Sequence, residues 1–449
     1  MYSGSYYQWV SPYLQERMIA ARAYIRKAIR EGATFRRLVA SLDETQWYSS
    51  SALRDYQARQ LECLLRWTTD NIPYYRHQID PSKLGDPFAL LESLQYMDKS
   101  CVRQHAKALS SKRFRAYVSG GTSGSSGAPL QVKHDLRSII REHAFVARQL
   151  SWAGYNAGEP QAWWRGDMVV PTTTDSPPFW RYNSADNMLL LSSYHLSEAT
   201  LESYRTALER FDPVLIQAYP SSIGFLATYL NTIGQPYRGK RLRGIVTSSE
   251  TFLDSQNVAI RNAFGCPVYN LYGAYERVAA IATCERGRMH LLSDYSFTEL
   301  RPTADGRSEL IGTGFHERAM PLIRYRTGDE IEMAASGFSC ECGRSFPVVN
   351  AITGRLDDYI LTPNGRRVTA LHHVFKDVPH IAEAQFRQTR DGAVEIAIVP
   401  LQGYSESDEK KIIEKSRERI GKEIPLSIST EEQLPRTRNG KVQNIIRTD

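Results

Sequence analysis

The sequence predicts an α/β protein with a large N-terminal domain of mostly parallel sheets and helices and a small α+β C-terminal domain. Three observations lead to this fold class: the 449 residues exceed one typical domain, strand-like and helix-like runs alternate over residues 114–350, and the pattern restarts after residue 358. Strands that alternate with helices usually pair in parallel, so a largely parallel sheet is expected. We place the large domain at residues 1–356 and the small domain at residues 357–449.

Residues 12–70 are predicted to be helical, because apolar residues recur there at spacings close to 3.6. The first such stripe consists of Leu14, Met18, Ala21, Tyr24, Ile25 and Ile29. Arginines opposite this stripe would also suit a helix that lies on a membrane surface. Core packing of a helical N-terminal region (1–70) is the preferred interpretation.

From residue 114 onward the predicted elements are short. In the large domain, apolar strands are expected at 214–218 and 242–246, the end of a helix at 260–264 and the next strand at 268–272. In the small domain we expect a strand at 360–361, a turn at 363–365, a helix around 370–375, strands at 384–388 and 394–399, a charged helix at 407–420 and a strand at 426–429. The domain boundary is expected near residues 354–358.

Residues 119–129 read Ser-Gly-Gly-Thr-Ser-Gly-Ser-Ser-Gly-Ala-Pro and lie between predicted strands at 114–119 and 130–133. Glycine lets the backbone approach a bulky anion, and the N–H groups of such a turn form a concave anion-binding nest. Hydroxyl donors are added by Thr122, Ser123, Ser125 and Ser126. No Gly-Lys-Ser/Thr follows, which argues against a Walker motif. A hairpin loop that closes over a triphosphate is favoured over a flexible linker by four segments further along the chain.

These four segments come after the loop in a fixed order. They are Asn-Leu-Tyr-Gly-Ala-Tyr-Glu at 270–276, Ile-Arg-Tyr-Arg-Thr-Gly-Asp at 323–329, Gly-Arg-Leu-Asp-Asp at 354–358 and Leu-Pro-Arg-Thr-Arg-Asn-Gly-Lys at 434–441. Together, over roughly residues 50–449, the five segments resemble those of the adenylate-forming enzymes: acyl-CoA synthetases, peptide-synthetase adenylation domains and luciferases. The segments 319–324 and 340–344 are similar to the branch that holds phenylacetate–CoA ligases and CapK-type proteins.

This resemblance implies an AMP-forming acid–thiol ligase. Such an enzyme joins a carboxylic acid to the α-phosphorus of ATP with Mg²⁺, releases pyrophosphate, and transfers the acyl group to an acceptor, CoA by default. Both reactants are anionic, so the site must cancel their repulsion and hold them in line. The alternatives are an amide- or ester-forming synthetase with an amine, amino sugar or amino acid as acceptor, and a non-catalytic nucleotide-binding homologue. The sequence leaves the carboxylic acid and the oligomeric state open, a homodimer included.

Composition limits the classes of ligand and partner that are expected. The net charge of +7 would suit polyanions such as ATP or CoA. It would also suit nucleic acid, but no recognisable motif for nucleic-acid binding accompanies it, so no nucleic-acid partner is expected. An evenly solvated basic surface is the preferred explanation of the excess charge. The N-terminus has no apolar signal region, and no apolar run reaches membrane-spanning length. With six cysteines in a long chain, a cytoplasmic protein with reduced thiols and no membrane partner is expected.

Lys441 is the catalytic candidate. In the matched motif of the family, this lysine bridges the carboxylate and the α-phosphate, a task suited to a mobile ammonium. Asn439 and Gly440 would form a tight turn that projects it. The alternative is that Arg436, Arg438 and Lys441 are a solvated basic tail.

The resemblance also assigns nucleotide-binding residues. Glu276 would hold Mg²⁺, Tyr272 would stack beside the adenine, and Asp329 would accept the ribose hydroxyls. The others are Thr122, Ser123, Gly124, Ser125, Ser126, Gly127, Glu250, Gly273 and Arg355. Asp357 matches the hinge about which the small, mobile domain turns between half-reactions, presenting Gly365 to the acceptor.

Two positions depart from the family pattern. Ala128 stands where lysine is frequent, and Tyr275 stands where a Thr or Ser hydroxyl contacts the α-phosphate.

The acyl pocket is expected among Tyr219, Ser248, Ser249, Ala274 and Tyr275. Trp163, Trp164 and Arg165 would add a wall, with Arg165 able to pair a second anion, although the two tryptophans could equally be core.

Four residues have the composition of a structural zinc site. Cys340 and Cys342 form a Cys-x-Cys knuckle followed by glycine, and Cys284 and His290 lie upstream with five residues between them. Three cysteines and one histidine are a standard tetrahedral zinc set. Buried or incidental thiols are the alternative interpretation.

Overall fold

The computed structural model describes residues 7, 9–114, 117–121, 130–303, 307–355, 359–365, 367–368, 371–375, 378, 380–437 and 440–447. The chain forms two compact units. Unit 1 consists of Met1–Ile25, Ala153–Asn270 and Gly354–Asp449, and unit 2 of Arg26–Trp152 and Leu271–Thr353. Both units are therefore built from segments that are distant in the sequence.

The N-terminal region is helical. Its helices are α1 (Pro12–Arg30), α2 (Ala33–Thr45) and α3 (Ser50–Asn71). The residues of α1 that are buried are Gln15, Ile19, Ala20 and Ala23, whereas Leu14, Met18, Tyr24, Ile25 and Ile29 are 41–64% exposed. The prediction that the Leu14–Ile29 stripe packs in the core is therefore wrong.

The opposite face of α1 is buried because Gln15 ties it to unit 1. The Gln15 amide donates to the Tyr7 carbonyl at 2.9 Å, and its carbonyl oxygen accepts from Arg181 Nε at 2.6 Å. A polar residue with both halves of its amide satisfied can be buried at little cost. Burial of this face directs the apolar stripe outward.

Unit 1 contains an α/β sheet with the strand order β4–β5–β3–β6–β7, and β8 begins beside β7. The strands are β3 (Gln161–Trp164), β4 (Trp180–Asn183), β5 (Met188–Leu191), β6 (Leu215–Ala218), β7 (Gly244–Ser248) and β8 (Val268–Gly273). The pairs β3–β5, β3–β6 and β6–β7 are parallel, and β4 is antiparallel to β5. Every residue of β6 and β7 is buried, as expected for parallel strands covered on both faces.

Three helices pack on this sheet: α7 (Glu198–Phe211), α8 (Pro220–Thr232) and α9 (Asp254–Phe264). Trp164 stacks on Tyr204 of α7 with ring centroids 4.7 Å apart, and both side chains are fully buried. Helix α9 ends at Gly265, whose φ of 63° is the left-handed conformation that favours glycine. The strands predicted near 214–218, 242–246 and 268–272 and the helix end at 260–264 are confirmed.

The C-terminal segment of unit 1 is a compact α+β layer. Its elements are the hairpin β15 (Ile360–Leu361) and β16 (Arg367–Val368), a 3₁₀ turn at Leu371–Phe375, β17 (Ile381–Gln388), β18 (Val394–Pro400), α10 (Glu406–Ile420), β19 (Leu426–Thr430) and β20 (Ile445–Arg447). The sheet order is β19–β18–β17–β20. Ile396 and Ile398 of β18 pack under α10, whereas Ala397 and Val399 join the core of the parallel sheet. Strand β18 therefore contributes to two cores.

Unit 2 is built differently. It contains α4 (Pro87–Glu92), α5 (Lys99–His105), β1 (Val118–Gly121), β2 (Gln131–His134), α6 (Leu136–Trp152), β9 (Ala280–Thr283), β10 (Met289–Leu291), β11 (Ser296–Pro302), β12 (Ser308–Gly314), β13 (Tyr325–Met333) and β14 (Val348–Arg355). The strand order is β11–β12–β13–β14–β10–β9.

The pairs β9–β10, β10–β14, β11–β12 and β12–β13 are all antiparallel. The alternation of strand and helix that was expected up to residue 350 therefore ends at β8. The reason is the length of the connections: parallel pairing needs a crossover of a dozen or more residues, and the connections between β9 and β10 and between β11 and β12 are too short for one.

Candidate active site and metal cluster

A cavity of about 300 Å³ opens in unit 1 at the carboxyl ends of three parallel strands. It is lined by Trp163, Arg165, Gly166, Asp167, Tyr219, Ser249 and Lys441. Residues 165–167 follow β3, Tyr219 follows β6 and Ser249 follows β7. The carboxyl ends of parallel strands meet at one edge of the sheet, which is where α/β sheets bind their ligands.

Two of the predicted acyl-pocket residues line this cavity. Tyr219 begins helix α8, and its backbone N–H donates to the Trp164 carbonyl at 3.0 Å. Burial raises the pKa of Tyr219 to about 12, so it stays a neutral hydroxyl. Ser249 has a φ of 72°, a strained conformation for a non-glycine residue. Ser248 is buried behind it, with the two hydroxyls 3.2 Å apart.

Of the two predicted tryptophans, Trp163 lines the cavity and Trp164 is core. The core interpretation is thus correct for Trp164. Trp163 Nε1 donates to Asp167 Oδ2 at 2.6 Å, which fixes the indole at the mouth of the cavity.

Lys441 reaches the cavity from a short hairpin. Arg436 and Val442 form an antiparallel bridge, and the Thr437 N–H donates to the Lys441 carbonyl at 2.9 Å. Gly440 at the tip has a φ of 71°, and a Cβ there would lie 2.6 Å from the Gly166 Cα. Only glycine fits this close approach. Residues 438–439, including the predicted turn residue Asn439, lie outside the described chain.

Buried ionic contacts anchor the hairpin. Glu250 accepts hydrogen bonds from the Ser221 N–H at 3.0 Å, the Ser221 hydroxyl at 3.1 Å and the Val442 N–H at 3.1 Å. Arg436 Nη2 pairs with Glu383 at 2.6 Å, and both side chains are at most 5% exposed. Glu250, predicted to border the adenine, thus directs its carboxylate to Ser221 and the hairpin.

One guanidinium therefore lies near two carboxylates. Burial raises the pKa of Glu250, an effect that the hydrogen bonds from Ser221 and the charge of Arg436 oppose. Burial also raises the pKa of Glu383, where Arg436 opposes the shift and the charge of Glu250 adds to it. The pair Arg436–Glu383 is the kind of buried contact that becomes costly when one partner is removed.

In unit 2, two predicted nucleotide-binding residues are in direct contact. The Tyr272 hydroxyl donates to Asp329 Oδ2 at 2.6 Å, and the Asp329 N–H donates to the Thr327 hydroxyl at 3.1 Å. Burial, with the neighbouring Asp329 charge, raises the pKa of Tyr272 well above its ordinary value. Tyr272 is therefore a permanent hydrogen-bond donor that orients Asp329.

Glu276, the predicted magnesium ligand, is 7% exposed and accepts a hydrogen bond from the Tyr325 hydroxyl at 2.9 Å. Tyr325 lies within the 323–329 segment but is not among the residues predicted for the site. Its preceding residue, Arg324, is structural: its guanidinium bonds Glu299 and the carbonyls of Glu92 and Leu94.

The glycine-rich segment is described only at its base. Strands β1 and β2 pair antiparallel in the register Val118↔His134 and Gly120↔Val132. The predicted residues Thr122, Ser123, Gly124, Ser125, Ser126 and Gly127, together with Ala128, lie outside the described chain. So does Asp357, and of Arg355 only the backbone, at the end of β14, is described.

Tyr275 packs against this hairpin base. A Cβ on Gly120 would lie 1.9 Å from the Tyr275 hydroxyl, so that only glycine leaves room for the ring. The ring also meets the His134 ring edge-on at 4.8 Å. His134 Nδ1 lies 2.6 Å from Glu317 Oε2, which also accepts from Ser138 at 2.8 Å.

Burial by itself would raise the pKa of Glu317, but the contacts with His134 and Ser138 outweigh it and lower that pKa. This buried network fixes β2 and was not found from sequence, where His134 showed no ligand spacing. Its partners are separated by 183 residues.

The four predicted zinc ligands cluster in unit 2. The ligand atoms of Cys284, His290, Cys340 and Cys342 all lie within 4.8 Å of one another. Cys284 Sγ is 3.8 Å from Cys340 Sγ, and His290 Nε2 is 3.4 Å from Cys342 Sγ. Tetrahedral Zn–S bonds of about 2.3 Å require sulfur atoms just under 4 Å apart, so the donor set fits this metal.

The histidine of the cluster is held in the orientation that a metal ligand needs. His290 Nδ1 lies 3.0 Å from the Phe346 carbonyl, and the residue is fully buried. A proton donated from Nδ1 leaves Nε2 as the free acceptor that faces the three sulfurs.

Comparisons with known proteins agree with the motifs. The family described as the CapK C-terminal domain matches residues 360–448. Protein CapK of Staphylococcus aureus is 25% identical over 404 residues, covering 87% of this chain and 88% of that protein. The phenylacetate-coenzyme A ligase of Thermus thermophilus is 23% identical over 443 residues, covering 88% of this chain and 96% of that protein.

Among solved structures, 2-hydroxyisobutyryl-CoA ligase in the postadenylation state with R3-HIB-AMP has a TM-score of 0.68 at 16% identity, covering 90% of this chain and 92% of that one. The α/β fold class and the resemblance to the phenylacetate–CoA ligase and CapK branch are thereby confirmed. Within the described residues, no helix has both the length and the apolar character needed to cross a bilayer.

Replacing Arg436 by methionine should destabilise unit 1 by about 3–5 kcal/mol, because Glu383 is left buried without a cation. The carboxyls of Glu250 and Glu383 both have raised pKa values in the folded protein. Both are neutral at acidic pH, so the loss of stability should be smaller there and should grow as the pH rises through those pKa values. The free energy of unfolding at mildly acidic and neutral pH checks this.

The matched control is Arg243→Met. Arg243 pairs with Glu159 at 2.8 Å, but its side chain is 46% exposed, and such pairs contribute about 0–1 kcal/mol. Equal losses in the two variants would contradict the structural role given to Arg436.

Proposed function

We propose that this protein is an AMP-forming ligase that activates a carboxylic acid as its acyl-adenylate and transfers the acyl group to an acceptor, with CoA as the default. The observation that carries this proposal is the position of Lys441, which lines the same cavity as Tyr219 and Ser249 at the carboxyl ends of the parallel strands. The related phenylacetate-coenzyme A ligase of Thermus thermophilus joins a carboxylic acid to CoA, which supports this proposal.

In the first half-reaction a carboxylate oxygen attacks the α-phosphorus of ATP. The bond from the α-phosphorus to the bridging oxygen breaks, and pyrophosphate leaves with its electron pair. No proton is moved, so the protein contributes position and charge rather than acid–base chemistry. We assign Lys441 to the two oxygens that approach each other, where its ammonium offsets their repulsion.

In the second half-reaction the acceptor nucleophile, after loss of its proton, attacks the acyl carbon and AMP leaves. We place the hinge for the change of conformation at Asp357, so that residues 357–449 turn as a small domain and Gly365 approaches the acceptor. Rotation would separate Gly440 from Gly166 and withdraw Lys441 from the cavity.

For the nucleotide we assign Asp329 to the ribose hydroxyls, Tyr272 and Gly273 to the adenine side, and residues 122–127 and Arg355 to the phosphates. Glu276 would hold Mg²⁺, which supplies charge neutralisation for the phosphates when bound. Its Oε1 accepts from Tyr325, and no described residue hydrogen-bonds its Oε2. The second carboxylate oxygen of Glu276 therefore suits the role of a ligand to a hard cation such as Mg²⁺.

We also propose that the four-residue cluster of unit 2 holds a structural Zn²⁺. Three sulfurs and one nitrogen would complete a tetrahedral zinc site and leave no open coordination position. A closed site of this kind stabilises the fold and takes no part in the reaction.

Lys441→Ala should lower carboxylate-dependent exchange of labelled pyrophosphate into ATP by roughly 100- to 1,000-fold, as for loss of one charge-stabilising donor. The same exchange assay on the wild-type protein, run with a panel of carboxylic acids, identifies the substrate class. Transfer from synthetic acyl-adenylate to CoA or to amines should be spared, because Lys441 serves only the first half-reaction. Lys422→Ala, at an exposed lysine of the same segment, is the control, and equal exchange in both variants would refute the assignment.

Asp329→Asn should raise the KM for ATP about 10- to 100-fold, the effect of losing a hydrogen bond to a charged group. Tyr272→Phe should have a smaller effect, because it removes only the orienting donor. The decisive measurement compares ATP with 3′-deoxy-ATP. Wild-type enzyme should prefer ATP and Asp329→Asn should not, whereas an unchanged preference would exclude Asp329 from the ribose site.

The purified protein should contain stoichiometric zinc by elemental analysis, and a strong chelator should lower its melting temperature. Cys340→Ser should lower both the zinc content and the melting temperature, because a structural metal contributes its binding energy to folding. Cys63→Ser, at an exposed cysteine outside the cluster, should change neither. Metal-free protein with an unchanged melting temperature would overturn the zinc proposal.

A further inference from the structure

The cavity contains a second cation that the reaction above does not use. The Arg165 guanidinium stacks over the Trp163 ring, with its central carbon 4.3 Å from the ring centroid. Its Nε is buried, and none of the described residues gives it a hydrogen-bond partner. Buried N–H donors without a partner are rare, because such a group needs a charged or hydrogen-bonding partner to offset its desolvation.

None of the described residues offers the Arg165 guanidinium an ion pair or a side-chain hydrogen bond. The carboxylate closest in sequence, Asp167, accepts the Trp163 indole N–H. Desolvation lowers the pKa of Arg165 to about 10, and the neighbouring Tyr219 and Asp167 oppose this shift only in part. The guanidinium remains charged at neutral pH, and no described carboxylate forms an ion pair with it.

The backbone that carries this side chain is anchored by hydrogen bonds. The Arg165 backbone carbonyl accepts from the Ser193 hydroxyl at 3.2 Å, and the Gly166 carbonyl accepts from the Tyr194 hydroxyl at 3.2 Å. The cation–π contact places the guanidinium against the Trp163 ring. The planar fork of N–H donors of an arginine matches a carboxylate, sulfonate or phosphate group.

We propose that the acid activated by this protein carries a second anionic group and that Arg165 binds it. The inference rests on the proposed function, in which Lys441 receives the carboxylate that reacts. Two cations, Arg165 and Lys441, then line one cavity and match the two ends of a dianionic acid. A volume of about 300 Å³ lies at the lower end for small-molecule sites, which favours a short substrate.

The test compares dicarboxylic acids with their monomethyl esters, which keep the skeleton and remove one charge. In wild-type pyrophosphate exchange, the kcat/KM for the diacid should exceed that for the ester roughly 10- to 100-fold. Arg165→Met should abolish this preference by lowering kcat/KM for the diacid while leaving kcat/KM for the ester unchanged. Arg165→Lys should restore part of the preference. Arg243→Met, which removes an exposed arginine of the same unit, should keep the preference.

Calorimetric binding of the same diacids and esters gives a readout that does not depend on catalysis. If wild-type protein binds both equally, the inference is overturned, whatever the exchange assay shows. If the diacid binds better and Arg165→Met removes the difference while no exchange occurs, the inference stands and the proposed function fails. If Arg165→Met raises the KM for ATP and leaves the acid preference unchanged, the guanidinium serves the triphosphate and the inference is wrong.

Discussion

The position of Lys441 depends on one buried guanidinium. Arg436 pairs with Glu383 of β17 at 2.6 Å and donates to Ser221 of α8 at 3.3 Å, so it joins the C-terminal layer of unit 1 to the helix that begins at the cavity. Glu250 adds the third contact through the Val442 N–H. Together these contacts hold both strands of the hairpin whose tip carries the lysine. Without them, the flexible four-carbon side chain of Lys441 would have no fixed place in the site.

The second constraint is the geometry of the parallel sheet. Because β3, β6 and β7 are parallel, the residues that come after them meet at one edge, although the first and second of these strands lie more than fifty positions apart in the chain. The close approach of Gly440 to Gly166 then fixes how deeply the hairpin tip enters. The cavity thus combines a rigid side, built on strand ends, with one residue delivered from a separate layer. This arrangement is compatible with the proposal that Lys441 acts in only one of the two half-reactions.

Much of this could be predicted from the sequence, because ordered motifs carry strong information. Lys441, Tyr219, Ser249 and the four cluster residues were predicted from spacing alone or by resemblance. The outward face of α1 could not be predicted, since Ile19, Ala20 and Ala23 form a second apolar face, and burial of Gln15 decided between the two. The roles of Arg436 and of the His134–Glu317 pair were also missed, because their partners are 53 to 215 residues away. Pairwise long-range contacts of this kind leave no periodic signal.

The cysteine–histidine cluster also has a topological consequence. Cys284 and Cys340 are 56 residues apart, and the segment between them contains β10, β11, β12 and β13. An ion bound there would close that segment into a ring, reducing the conformational freedom of the unfolded chain before the antiparallel strands inside it have paired. The three strands of the β11–β13 meander would then search for their register within a tethered loop rather than on an open chain. If the proposed ion binds before these strands pair, it would speed the formation of unit 2, separately from its effect on stability.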